Sequence, residues 1–240
     1  MTEVLFQYTH ILMRAEYRSP ELHKHLAGHL IFSLNGELSC IVDHRSFRCT
    51  GVFIASDIEH TIYAETGDLL VFLFDPTSGM AKNMEERYLK GKDCALMDDD
   101  MVQRLRKTWV QHGSNLQTAD EWLLNECGLG SGKIAVSDRR IHDVITYLEG
   151  CEAIPENITE ALCKAVCLSE SRLSHLFKEQ VGIALNRYIV LDKMKKAYLH
   201  YLRSRNITEA ALAAGFSSSS HFAATCKKMF GIAFSDFLKS

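Results

Sequence analysis

Asn157-Ile158-Thr159-Glu160-Ala161 recurs as Asn206-Ile207-Thr208-Glu209-Ala210. The match continues at the same offset: Lys178 aligns with Lys227, and Gly182-Ile183-Ala184 with Gly231-Ile232-Ala233. An internal repeat names the architectural unit, because each copy must solve the same folding problem. Here the unit reads as a short helix, a tight turn and a second helix. Asn157 is a good N-cap, and Glu160 three positions on completes a capping-box pattern that Asn206 and Glu209 repeat. The first helix of copy one ends near Val166 and Cys167-Leu168-Ser169 makes the turn. Ser169 caps a second helix that runs to about Val181, where Gly182 stops it. This is the outline of a tandem helix-turn-helix, which makes duplex DNA the first candidate partner.

Helical spacing sorts the faces of the second helix in each copy. In copy one Leu173, Leu176 and Phe177 share a face and belong to the core. The opposite face carries Ser171, His175 and Lys178, flanked by Arg172 and Ser174. Hydroxyl, imidazole and cationic groups on one face can meet base edges and phosphates in a major groove. Any amphipathic helix has a polar face, so it is the duplication that gives this one weight. In copy two Phe222, Cys226 and Met229 take the buried side, and the outward positions are Ser220, Ala224 and Lys227, flanked by His221 and Ala223. Ala224 offers only a methyl group, so phosphate contacts by Lys227 and Lys228 are expected to outweigh base discrimination there. Between the copies, Arg187 to Arg203 reads as a long helix with Tyr188, Leu191, Met194, Ala197 and Tyr198 on its apolar face. A rigid helix there would fix the separation of the two reading heads.

These residues resemble the AraC/XylS family of transcriptional regulators over about Arg139 to Leu238. The matching positions include Leu168-Ser169, Leu173, Leu176-Phe177-Lys178, Gly182, Tyr188, Ala197, Gly215-Phe216, Phe222, Lys227 and Gly231. The resemblance implies a bipartite DNA-binding domain joined to an effector-binding domain, often cupin-like and dimerising. It also implies double-stranded promoter DNA, a small effector and, for an activator, RNA polymerase as partners. The chain departs from the pattern at Ala224, where the family usually has Arg, and at Cys226, where it has Phe. Ala233-Phe234 replaces Ser-Pro, and the usual Arg of the linker helix is Lys193. These changes touch the base contacts of the second head rather than the fold.

Composition agrees with two domains. The chain has 240 residues, 47% hydrophobic and 24% charged, enough for two modest cores in a globular protein. Its net charge of −3 is unevenly spread. Residues 138–240 carry 14 Lys+Arg against 11 Asp+Glu, and residues 1–137 carry 13 against 19. The mild excess of positive charge thus lies with the repeat, which favours a nucleic-acid partner there. Neither a signal peptide nor a run of about 18 apolar residues is visible, so a cytoplasmic protein without a membrane partner is expected. The eight Cys form no Cys-x-x-Cys pair and are expected to be reduced and mostly buried. Cys163 and Cys167 are i, i+4 neighbours, read as packing residues rather than a redox or metal pair.

The first half reads as β-structure. Leu30-Ile31-Phe32-Ser33-Leu34 and Leu69-Leu70-Val71-Phe72-Leu73-Phe74 are strand-like runs, with turns at Asn35-Gly36, Thr50-Gly51 and Thr66-Gly67-Asp68. Many short strands with Gly turns suggest a small barrel or sandwich. Helices follow, one from about Met97 to His112 behind Asp98, Asp99 and Asp100, and one over roughly Ala119–Cys127. Val102, Leu105 and Trp109 on the first of these could pair two subunits into a homodimer or pack onto the barrel of their own chain. The expected fold class is α+β. Residues 1–128 form a cupin-like effector-sensing and dimerisation domain with strands to about 77 and helices after, 129–137 a flexible linker, and 138–240 the all-α DNA-binding domain.

A second constellation lies in residues 23–60. His23, His25 and His29 are spaced by even numbers and would share a face of a strand. His60 follows after two expected strands. The pattern resembles a cupin motif, His-x-His with an acidic residue four further on and a later His, with His29 here in the acidic place. Four imidazoles would suit a borderline divalent metal such as Zn, Ni, Cu or Co. The alternatives are a metal-free pocket whose imidazoles line an organic effector, and histidines of purely structural use. A metal-dependent cupin enzyme is a more distant reading. The fused DNA-binding segment and the lack of an acid/base set beside the histidines argue against it. Sensing through cysteine oxidation is a further reading.

Overall fold

The computed structural model describes residues 3–7, 9–15, 22–64, 68–130 and 136–230. The strands are β1 (Glu3–Phe6), β2 (His10–Ala15), β3 (Gly28–Ser33), β4 (Leu38–Val42), β5 (Arg45–Cys49), β6 (Gly51–Ile54), β7 (His60–Ala64), β8 (Leu69–Phe74) and β9 (Cys94–Leu96). They build two antiparallel sheets, one ordered β1-β2-β8-β3-β6-β9 and the other β5-β4-β7. The central strands β3 and β8 are buried at every position, which explains the unbroken apolar run of β8 and the Leu30-Ile31-Phe32 run of β3. Alternate residues Leu30, Phe32, Leu70, Phe72 and Phe74 pack against helices. Their neighbours Ile31, Val71 and Leu73 are buried on the opposite face. β9 falls in a stretch read from sequence as wholly helical. Three residues, paired to β6 through Val52, Phe53 and Ile54, are too few to show a period.

The covering helices are α1 (Gly79–Met84), which runs into a π-helical turn at Glu85–Leu89, then α2 (Asp99–Gln111) and α3 (Leu116–Glu126). Each begins at a side-chain cap. Ser78 accepts from the Ala81 amide, Asp98 from Met101, and Asn115 from Gln117 and Thr118. On α2, Val102, Leu105 and Trp109 are buried against the sheet together with Phe32, Phe53 and Phe72. The use of these three side chains for pairing subunits is therefore corrected: they are core residues of their own domain. The apolar side chains that this helix pair leaves exposed are Val110 and Trp122, the latter stacked on His112 at 4.7 Å.

The remaining helices are α4 (Arg139–Gly150), α5 (Ile158–Val166), α6 (Glu170–Val181), α7 (Leu185–Ser204), α8 (Ile207–Ala213) and α9 (Ser219–Phe230). Ser169 caps α6 by accepting from the Arg172 amide, and Gly182 ends it with φ 86°. Leu173, Leu176 and Phe177 are buried as expected, Phe177 meeting Tyr188 of α7 edge-on at 5.1 Å. Tyr188, Leu191, Met194 and Ala197 are buried on α7, and Tyr198 is half-buried. The capping box of copy one does not form: Asn157 makes no side-chain cap bond, whereas Asn206 accepts from both Thr208 and Glu209 amides.

The chain divides into two compact units, Met1–Gly132 with the chain from Lys227 onward, and Lys133–Cys226. Of the expected linker, residues 131–135 lie outside the described residues, as do Gly231, Ile232, Ala233 and Phe234 of the second copy. Among the described residues no helix is long and apolar enough to cross a membrane.

Candidate functional site

The histidines converge. The backbones of His23 and His60 pair through two hydrogen bonds, His23 N–H to His60 O at 3.0 Å and His60 N–H to His23 O at 2.8 Å. The Asp57 amide donates to the His25 carbonyl at 2.8 Å and holds the next stretch of the same loop. Ligand atoms of His23, His25 and His60 all lie within 4.8 Å of one another. His29, on β3, sits edge-on against His25 and His60 with ring centroids 4.6 and 4.5 Å away. The four residues singled out from sequence are thus together, as a convergent trio with His29 packed against it.

The electrostatics favour neutral rings. Burial pushes His25 down to about 2, helped by the charges that His60 and His23 would carry. Burial likewise lowers His60 to about 4, and it holds His29 well below the ordinary range. Neutral imidazole is the form that offers a lone pair to a ligand. His60 Nδ1 donates to the Ile58 carbonyl at 2.7 Å, because a carbonyl can only accept. That bond leaves Nε2 of His60 as the lone-pair nitrogen and fixes the ring, as second-sphere carbonyls do for metal-binding histidines. The buried ring nitrogens of His25 and Nδ1 of His29 make no hydrogen bond of ordinary geometry, although a backbone group of Met229 near His25 works against its shift. Each such orphan costs about 1–3 kcal/mol, which a bound ligand would offset. The donor set therefore fits a divalent transition metal, provided the side chains close somewhat. Three nitrogens at ~2.1 Å from a tetrahedral ion lie about 3.4 Å apart.

The other site is helical. Ser171, Arg172, Ser174, His175 and Lys178 are all exposed along α6. On α9, Ser220, His221, Lys227 and Lys228 are exposed, as are Ala223 and Ala224. The two faces are differently prepared. His221 Nδ1 lies 2.9 Å from Ser217 Oγ and its ring meets Phe216 edge-on at 5.6 Å, so this imidazole is held against its own turn.

Two arrangements escaped sequence reasoning. Lys193 of α7 donates to the Gly215 carbonyl at 2.9 Å and lies over the Phe216 ring at 5.7 Å. The residue that departs from the usual Arg thus pins the second turn. Buried His10 meets buried Asp120 at 2.7 Å, and Gln7 donates to the same carboxylate at 3.1 Å, tying α3 to the sheet. Nothing local in sequence links residues so far apart.

This architecture defines a class: antiparallel β-sheets with covering helices, followed by two helix-turn-helix units joined by one long helix. The family described as "Helix-turn-helix domain" matches residues 162–240. The arabinose operon regulatory protein of Salmonella typhimurium is 31% identical over 101 residues, 42% of this chain and 36% of that protein, so the match spans about a third of that relative. ToxT of Vibrio cholerae shares the fold across 99% of this chain and 96% of its own, with a TM-score of 0.50 and 12% identity. An apo form of a ToxT variant gives 0.51 at 11% identity over 96% of this chain and 97% of that one. Residues 162–240 thus carry a helix-turn-helix domain, and a stretch of 101 residues is similar to part of the arabinose operon regulatory protein.

Proposed function

We propose that this protein is a one-component transcriptional regulator that binds promoter DNA through α6 and α9 and senses an effector in its β-domain. The observation that carries the reading is the duplicated helix-turn-helix with exposed polar faces, together with the homology to a known regulator. Arg172, His175, Ser171, Ser174 and Lys178 contact base edges and phosphates in one major groove. Lys227, Lys228, Ser220 and His221 serve mainly to hold the backbone at a second groove about 34 Å away. Binding weakens steeply with salt, because each phosphate contact releases counterions.

The effector is a divalent transition metal, of the Zn, Ni, Cu or Co group, held by His23, His25 and His60. The orphaned ring nitrogens of His25 and the tautomer imposed on His60 support this reading. A bound ion would draw two buried imidazoles and the half-buried His23 into one cluster and stiffen the loop that carries His23 and His25. His29 packs the cluster from one side and supplies a fourth nitrogen if the coordination expands. The test is metal analysis of the purified protein, with promoter binding measured before and after chelation. One equivalent of metal, lost in the double variant His23→Ala with His25→Ala, supports the site. Unchanged metal content in that variant removes it, and regulation by an organic effector becomes the reading to pursue.

A further inference from the structure

The thiols of Cys40 and Cys49 face each other on the three-stranded sheet with Sγ atoms 3.8 Å apart. The register explains why. Leu38 pairs with Cys49 and Cys40 with Phe47, so the two cysteines are diagonal neighbours on the same face of the β4–β5 hairpin. The hairpin turn Asp43-His44 has positive φ at both residues, 44° and 61°, a tight connection that locks this register. Cys40 is buried in the interior, whereas Cys49 is half-buried on the outer strand of that sheet. Cys49 is therefore the more accessible residue of the two.

We propose that Cys40 and Cys49 form a peroxide-reactive pair that closes reversibly to a disulfide, with Cys49 the attacking thiol and Cys40 the resolving one. This site is separate from the histidine cluster and does not depend on it.

The chemistry of the two sulfurs is already unequal. Hydrogen bonding from the Cys40 thiol, with help from the Gly51 backbone, holds Cys49 below the ordinary thiol value. The same contact, and burial, raise Cys40. Cys49 is thus the better thiolate and Cys40 keeps its proton. In the first step the Cys49 thiolate attacks one peroxide oxygen. The O–O bond breaks, an S–O bond forms, and the leaving hydroxide takes a proton to become water. In the second step the Cys40 sulfur attacks the Cys49 sulfenic acid. An S–S bond forms, the S–O bond breaks, and the departing hydroxide takes the Cys40 proton as a second water. Two thiols lose two electrons and two protons while one peroxide is reduced to two waters. Closing from 3.8 Å to a bond of ~2.04 Å requires side-chain rotation and a local approach of the two strands, because diagonal neighbours start farther apart than the residues of a disulfide.

The test is peptide mapping of the intact protein after brief exposure to hydrogen peroxide in the presence of chelator. Non-reducing digestion should give a peptide linking residue 40 to residue 49, about 2 mass units lighter than its reduced parts and recovered as free thiols by dithiothreitol. Cys167, exposed, and Cys163 serve as internal comparators and should react more slowly. Cys49→Ser should leave Cys40 unmodified. Cys40→Ala should leave Cys49 as a sulfenic acid trapped by dimedone. Should Cys40→Ala fold poorly, the Cys49→Ser arm and the wild-type map still decide. A link from Cys49 to Cys94, or no linked peptide with Cys167 oxidised first, would overturn the assignment.

Discussion

The two helix-turn-helix copies start from the same five residues and are anchored differently. In the second copy Asn206 caps α8 through two amides, and the turn is held from α7 by Lys193 on the Gly215 carbonyl. In the first copy Asn157 makes no cap bond, and Cys167 takes the left-handed turn position with φ 53°. The outward faces differ in the opposite sense. α6 presents Ser171, Arg172, His175 and Lys178 to solvent, while α9 presents Ala223 and Ala224 with His221 held to Ser217. The copy with the firmer local anchoring thus carries the outward face with fewer polar side chains. A repeat preserves what folding needs, and the exposed positions are free to diverge.

The turns give the largest test of this contrast. Gly215 sits at φ +91°, and a Cβ there would collide with the Ile154 carbonyl oxygen. Gly215→Ala should cost about 3 kcal/mol in urea denaturation, from left-handed strain plus a backbone clash. Cys167→Gly, at the corresponding bend of the first copy, should change stability by no more than about 1 kcal/mol. Equal effects would erase the difference in anchoring.

The reading faces come next. Arg172→Ala or His175→Ala should weaken specific promoter binding by about 1–3 kcal/mol, roughly 5- to 150-fold in a gel-shift titration. Ala224→Ser should leave affinity within about twofold, since the site it alters makes at most a methyl contact. Should all three be silent, α6 is not the principal reader.

The caps are a smaller effect. Asn206→Ala should cost about 1 kcal/mol because two amides lose their acceptor, and Asn157→Ala only a few tenths. The smallest effect belongs to Lys227→Ala. It should weaken specific and non-specific DNA alike and reduce the slope of log K against log salt by about one. A change confined to the specific sequence would instead make Lys227 a base reader.

Most of the helical half was legible because its signals are local. Ser169, Gly182 and the Leu173/Leu176/Phe177 stripe lie within one turn or two of what they control. The Asn157 cap misled because a side-chain type states a capability, and the backbone at φ −89°, ψ 22° does not use it. In the β-half the histidine spacing was readable, but the division into a trio and His29 depends on how a loop crosses to β7. Val102, Leu105 and Trp109 had an apolar stripe that fitted either a subunit contact or the core, and only the sheet face of Phe32 and Phe72 decides between them. The His10–Asp120 and Cys40–Cys49 contacts come from register and packing, which leave no local mark.

In the proposed division of roles, one copy reads sequence and the other mainly holds the backbone. Selection of binding sites from a random-sequence duplex library tests it most directly. Recovered sites should have one sharply defined half and, about one helical turn away, a half that tolerates most bases. Two equally sharp halves, or a sharp half that survives Arg172→Ala with His175→Ala and blurs with changes on α9, would contradict it.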